Sequence, residues 1–220
     1  MLSITLVTPD PLALVSARDA VRAALSVGSE TVLGDGALDL FAEGEAGATK
    51  SVIEAALRGL PVDFAVQAVE NRRKRLLIAD MDSTIINVEC LDELADFAGA
   101  KAEVSEITER AMRGELAFEG ALRERVGMLS GLSVDALQSC YDDRVRLNPG
   151  AETLVKTMAK HGARCALVSG GFTFFTSRVA EAAGFHLNRA NTLIEADGKL
   201  TGRVGDPILG KEAKLAALIE

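Results

Sequence analysis

Hydrophobic positions change period several times along this chain, and each change marks an element. Residues 2–7 (LSITLV) form a short β-type run that Thr8-Pro9-Asp10-Pro11 breaks. From about Ala13 to Leu25 the apolar residues recur at helical spacing. A turn-rich stretch with Gly28, Gly34 and Gly36 follows, and Lys50 to Leu60 reads as a second amphipathic helix closed by Gly59 and Pro61. Val62 to Val69 alternates in part, as a half-buried strand does. These elements predict a small α/β unit over residues 1–70, with nothing in it at catalytic spacing. The basic run Asn71-Arg72-Arg73-Lys74-Arg75 reads as a solvated linker into the next strand.

Beyond the linker, Leu76-Leu77-Ile78-Ala79 is a short buried-type strand that stops at Asp80. The Glu- and Arg-rich stretch from Leu91 to Tyr141 is predicted helical. Asn148-Pro149-Gly150 leads into a helix over Ala151 to Lys160, which Gly162 closes. Cys165-Ala166-Leu167-Val168 is a second buried strand, ending at Ser169-Gly170-Gly171, and a helix follows from about Thr173 to Ala183. Leu193 to Val204 reads as a hairpin about Asp197-Gly198, and a last helix begins near Lys211. Strands alternating with helices predict a parallel α/β sheet. Sites in such sheets lie at the carboxyl ends of the strands.

Composition narrows the choices. The chain is 48% hydrophobic and 25% charged, enough apolar residue for a real core. A net charge of -8 disfavours a nucleic-acid partner, which calls for a basic face. Two histidines, His161 and His186, leave no room for a multi-histidine zinc site. Cys90, Cys140 and Cys165 have no CxxC spacing and read as buried residues in a reducing compartment. The N-terminus lacks the basic start of a signal peptide and no run is long enough to span a membrane, so a cytoplasmic location, without membrane partners, is expected.

Three strand-end features carry candidate chemistry. In extended chain, residues two apart point the same way, so Asp80 and Asp82 start on one side of the first strand end. Carboxylates that close repel unless a cation intervenes or one holds a proton; an N-cap role for Asp82 is the plain alternative. Ser169-Gly170-Gly171 offers a hydroxyl and backbone N–H groups for an anion, or simply a turn. Lys211 and Lys214 matter only if their helix reaches Asp80.

Taken together, these motifs resemble those of the haloacid-dehalogenase-like phosphatases. The resemblance sharpens through Asp80-Met81-Asp82-Ser83-Thr84, Asn87, Glu89, AMRGELAFEGALRERV (residues 111–126), LNPGAE (147–152), VSGGF (168–172) and DGKLTG (197–202), which are similar to the phosphoserine phosphatase family over about Arg75 to Glu220. The resemblance implies a Rossmann-like α/β core with a parallel sheet over residues 75–220 and a small helical cap inserted at about 88–145. It implies hydrolysis of O-phospho-L-serine, the last step of serine biosynthesis, through an aspartyl-phosphate. Asp80 would be the nucleophile and Asp82 the general acid and base. Mg²⁺ would be held by Asp80 and the backbone carbonyl of Asp82. Ser169, Gly170 and Lys214, with Lys211 as second choice, would bind the phosphoryl group. Glu89 would meet the substrate ammonium, Arg125 its carboxylate, and Met112 and Phe118 would form an apolar lid. The N-terminal unit would be regulatory and ACT-like, and a homo-oligomer stays open.

The family has a fourth motif, an acidic Gly-Asp loop whose aspartate completes the metal site. Only six residues follow Lys214, and Gly205-Asp206 precedes it. The parallel core is therefore expected to be incomplete at its C-terminal end, with the third metal ligand coming from a motif outside this chain. Two other readings stand beside the phosphoserine phosphatase. One is a catalytically incompetent homologue that binds or regulates; the other is a phosphatase for a related small phosphomonoester.

Overall fold

A computed structural model describes residues 1–219, with the side chains of Met112, Lys211 and Ala213 outside the described set. The chain divides into two compact units, Met1–Lys74 and Arg75–Glu220. In the first unit, β1 (Leu2–Val7), α1 (Pro11–Ala24), β2 (Val27–Gly34), β3 (Ala37–Ala42), α2 (Ala46–Ala56) and β4 (Asp63–Ala68) build an antiparallel sheet in the order β2-β3-β1-β4. This is the split β-α-β arrangement. Helix α1 starts where the Asp10 carboxylate accepts the Leu12 N–H at 2.9 Å, with Pro11 at the first helical position. Ile4, Leu6 and Leu40 on one sheet face pack with Ala17 and Val21 of α1 and Ile53 of α2. The turn-rich stretch is in fact the hairpin β2–β3. Strand β2 escaped the pattern because all but its first residue are exposed, so it shows no alternation. Gly36 closes that hairpin, where a Cβ would lie 2.3 Å from the Thr8 carbonyl oxygen.

Arg72 corrects the solvated-linker reading. Its guanidinium forks onto the buried Asp39 carboxylate, with Nη1 and Nη2 donating at 2.5 and 2.7 Å, and Thr5 Oγ1 donates to the same carboxylate at 2.7 Å. Burial pushes the Asp39 carboxyl up, but the bonds from Arg72 and Thr5 and the Arg72 charge outweigh it and leave it below its ordinary value. A depressed carboxyl contributes stability above its unfolded pKa and loses it as the pH falls below about 4. Arg72→Met leaves that carboxylate buried without its partner and is expected to cost about 3 kcal/mol. Urea unfolding at pH 7 checks this; an unchanged midpoint would contradict it.

The second unit begins with β5 (Leu76–Ala79), followed by the helices α3 (Cys90–Phe97), α4 (Lys101–Met112), α5 (Phe118–Gly127) and α6 (Asp135–Arg144). Then come α7 (Ala151–Lys160), β6 (Arg164–Phe172), α8 (Thr173–Ala183), β7 (Leu187–Asn191), β8 (Leu193–Ala196), β9 (Lys199–Val204) and α9 (Lys211–Ile219). Strands β5, β6 and β7 form a parallel sheet in that order, so β5 and β6 are neighbours whose carboxyl ends open on the same side. Strand β6 runs on through Ser169-Gly170-Gly171, which the pattern assigned to a turn. Strand β7 was not predicted, since only its last two residues are buried and it carries Asn188 and Arg189. The hairpin β8–β9 turns at Asp197-Gly198 as expected. It also anchors the helical insert: Gly131 N donates to Leu200 O and Leu200 N to Leu132 O, both at 2.8 Å.

Apolar side chains from β5 to β9 share one core that includes Met81, Leu94, Leu122, Leu167, Phe172 and Phe175. Cys90, Cys140 and Cys165 are free and buried, and burial pushes each thiol up, Cys140 to about 11. Among the described residues, no helix is long and apolar enough to cross a membrane.

Candidate active site

The chain leaves β5 at Ala79 and immediately wraps around one carbonyl. Thr84, Ile85 and Ile86 all donate their N–H to Met81 O, at 3.2, 2.9 and 3.1 Å, while the Met81 side chain is fully buried. This turn holds Asp80 and Asp82 at the strand end. Asp80 Oδ1 accepts the Met81 N–H at 2.9 Å, and Oδ2 is paired with the Lys214 ammonium from the first half of α9. Asp82 Oδ1 accepts the Cys90 N–H at 2.9 Å, at the N-terminus of α3, and Oδ2 accepts the Ser169 hydroxyl at 3.2 Å. Ser169 Oγ in turn accepts the Gly171 N–H at 2.9 Å. A residue with a side chain at Gly171 would put its Cβ 2.7 Å from Asp82 Oδ2, so glycine is required for β6 to come this close.

Burial raises the Asp82 carboxyl above its ordinary value against the bonds from Cys90 and Ser169, and the neighbouring charge of Asp80 adds to the rise. The two aspartates thus sit in different environments. Asp80 faces a cation, whereas Asp82 is desolvated and bonded to neutral donors.

Asp80, Asp82, Ser169, Gly170, Lys214, Glu89, Arg125 and Phe118 all line one cavity of about 660 Å³. These are eight of the ten candidate positions; the Met112 and Lys211 side chains lie outside the described residues. Burial pushes the Glu89 carboxyl up, against a bond from Ser83. Burial pulls the Arg125 guanidinium down, against the charges of Asp92 and Glu89. Among the described residues, Arg125 donates to neutral oxygens, from Nε to Ala121 O and from Nη1 to Thr108 Oγ1, both at a long 3.3 Å. A carboxylate and a guanidinium held half-desolvated across one cavity are suited to a ligand carrying both opposite charges. The Phe118 ring rests 3.0 Å from where a Gly170 Cβ would be, so the helical insert touches the strand-end loop there.

Leu91, Leu122 and Phe172 complete the apolar part of the wall, and Glu119 and Glu212 add carboxylates. Phe172 closes the VSGGF motif and Glu119 and Leu122 fall within residues 111–126, whereas Leu91 and Glu212 carry no legible sign in the sequence, since apolar helix residues and surface glutamates are ordinary. Asn191, between VSGGF and DGKLTG, likewise carries no sign in the sequence.

A parallel α/β sheet with paired aspartates on its first strand end, a serine on the next and a lysine from a later helix defines the class. The haloacid dehalogenase-like hydrolase family matches residues 77–220, and the chain belongs to it. Within that family it is similar to phosphoserine phosphatases. It is 49% identical to a phosphoserine phosphatase of Polaromonas over 67% of this chain and 63% of that protein. A probable phosphoserine phosphatase of Vibrio cholerae, solved unliganded, aligns with a TM-score of 0.78 at 32% identity over 99% of this chain and 67% of that one. A solved phospho-aspartyl intermediate analogue of phosphoserine phosphatase aligns at 0.61 and 40% identity over 66% of this chain and 69% of that one. The chain spans between 41% and 63% of the length of four curated relatives named phosphoserine phosphatase.

Proposed function

We propose that this chain carries the catalytic site of a phosphatase acting on O-phospho-L-serine. The observation that carries the reading is the single cavity in which Asp80, Asp82, Ser169 and Lys214 gather at one end and Glu89 and Arg125 line the wall. The first group suits a phosphoryl group; the second suits the ammonium and carboxylate of an amino acid. Relatives at 40–49% identity carry the name of this activity, and one related structure is an analogue of its phospho-aspartyl intermediate.

In the first step an Asp80 oxygen attacks phosphorus, the bond from phosphorus to the serine oxygen breaks, and Asp82 gives its proton to that oxygen. In the second, water attacks the phosphorus, gives its proton to Asp82, and Asp80 leaves. The raised Asp82 carboxyl suits the first role, because a proton must be present at the moment the alcohol departs. Lys214 and Ser169 lie beside the two aspartates and would turn to the phosphoryl oxygens, stabilising the charge in transfer. Phe118 would exclude water over the bound substrate.

Mg²⁺ fits the donors present. Among the described residues no three His, Cys, Asp or Glu side chains gather to hold a metal by themselves. Magnesium asks for less, keeping several waters and binding through one or two carboxylates together with substrate phosphate. The Asp80 carboxylate and the Asp82 main-chain carbonyl are hard oxygen donors of that kind, and the ion would neutralise phosphoryl charge.

The three free cysteines support a cytoplasmic setting. The N-terminal unit, with its split β-α-β sheet, would regulate in the manner of an ACT-like domain.

The test is phosphate release with Mg²⁺ from O-phospho-L-serine, phosphothreonine, phosphohomoserine and p-nitrophenyl phosphate. Phosphoserine is expected to be preferred by kcat/KM; no release from it, or equal rates on all four, would sink the reading. Arg125→Ala is expected to raise KM for phosphoserine by about 10- to 100-fold, the loss of a charged hydrogen bond of about 1.5–3 kcal/mol. The same change should leave p-nitrophenyl phosphate, which has no carboxylate, nearly unaffected.

A further inference from the structure

Asn191 ends β7, the third strand of the parallel sheet, and is 2% exposed. Its side-chain amide is bonded by three backbone groups. Oδ1 accepts the Leu209 N–H at 2.7 Å, while Nδ2 donates to Gly170 O at 2.8 Å and to Leu209 O at 3.3 Å. The orientation of the amide is fixed by its partners, since an N–H needs the oxygen and the two carbonyls need the nitrogen. Regular pairing of β6 with β7 breaks between Val168 and Phe172, and Gly170 falls in that break. The Asn191 side chain therefore supplies a partner that the strand ladder does not.

What it joins are the two arms of the proposed phosphoryl site. Gly170 directly follows Ser169 on β6. Leu209 lies just before α9, whose Lys214 pairs with Asp80. The insert rests on the same joint, since the Phe118 ring is 3.0 Å from the Cβ position of Gly170 and 3.4 Å from that of Gly210.

We propose that Asn191 is a positioning residue: its amide sets the separation of the Ser169 and Lys214 arms and levels the platform on which Phe118 rests. This rests on the phosphoryl-transfer reading above. The hydrogen bonds of Asn191 described above go to the backbone of Gly170 and Leu209 and not to the aspartates, so it acts through the backbone it holds. The two ends of its amide do different things. The oxygen fixes the loop before α9, and the nitrogen ties that loop to β6.

The test compares Asn191→Ala and Asn191→Asp with the unsubstituted protein. It measures kcat and KM for O-phospho-L-serine, competitive inhibition by inorganic phosphate, and hydrogen exchange over residues 205–210. For Asn191→Ala, kcat/KM is expected to fall by about 100-fold, the scale of an ångström-sized misplacement in an active site. KM and the inhibition constant for phosphate should both rise, and the Leu209 amide should lose its protection. Asn191→Asp keeps the acceptor for Leu209 N–H but loses the donor to Gly170 O. It should retain Leu209 protection while phosphate inhibition weakens. A residue that only supported the fold would lower the active fraction, leaving KM and phosphate inhibition unchanged in folded molecules, and that result would overturn the proposal. If neither variant folds, the unsubstituted protein decides: a protected Leu209 amide supports the joint and a freely exchanging one overturns it. If the unsubstituted protein neither hydrolyses phosphoserine nor is occupied by phosphate, the function itself fails, whereas exchange at Leu209 still tests the joint.

Discussion

Asp80→Asn is expected to lower phosphate release from O-phospho-L-serine by about four orders of magnitude or more, in line with the loss of a covalent nucleophile in other enzymes. The reason lies in the position of Asp80. It stands directly at the end of β5, its Oδ1 fixed by the Met81 N–H and its Oδ2 beside the Lys214 ammonium. An amide there has the same shape but lacks the charge and nucleophilicity to attack phosphorus. Because the shape is kept, the unfolding midpoint should change little, and this separates chemistry from folding. Full activity in Asp80→Asn would remove the nucleophile assignment, whatever else the cavity does.

Asp82→Asn is expected to cost about 10²- to 10⁴-fold in kcat for phosphoserine, the range of general acid–base catalysis. This defect should depend on the leaving group. Serine leaves as an alkoxide unless it is protonated, so the first step needs the Asp82 proton. p-Nitrophenolate leaves unaided, so with that substrate the first step should survive, the second should stall without its base, and phosphoenzyme should accumulate. Burial and the Asp80 charge raise the Asp82 carboxyl, so its proton is held to higher pH than an ordinary aspartate would hold it. With phosphoserine, the leaving-group step should slow as the pH rises through that raised value. In Asp82→Asn that limb of the pH profile should vanish. First-turnover release on the two substrates checks this: in Asp82→Asn serine release should slow while p-nitrophenolate release survives, and an equal loss of both, with the limb retained, would contradict it.

Much of the site was legible because its residues sit where a buried strand must end. Leu76–Ala79 is apolar throughout and stops at a charged residue, so the place of Asp80 and Asp82 is readable from the pattern, although the structure leaves this strand half-buried rather than buried. The hairpin at Asp197-Gly198 and the helices over Ala151–Lys160 and Thr173–Ala183 were readable from turn chemistry and period. Strand β2 was not, because its residues face solvent and show no alternation. Strand β7 was missed for a related reason, and with it Asn191, whose role depends on three backbone groups far apart in sequence. The resemblance and its spacing favour Lys214 over Lys211. The structure places Lys214 on Asp80. Arg72 shows the opposite failure, since a residue in a basic run reads as solvated until a buried carboxylate is found opposite it.

The most direct measurement of the central claim is the capture of the phosphoenzyme. The protein is mixed with Mg²⁺ and O-phospho-L-serine carrying radiolabelled phosphate, quenched in acid within the first turnovers, and digested. The account predicts a hydroxylamine-labile label on the peptide that contains Asp80, and none in Asp80→Asn. Steady phosphate release with no trapped label on that peptide, or a label on another residue, would contradict it.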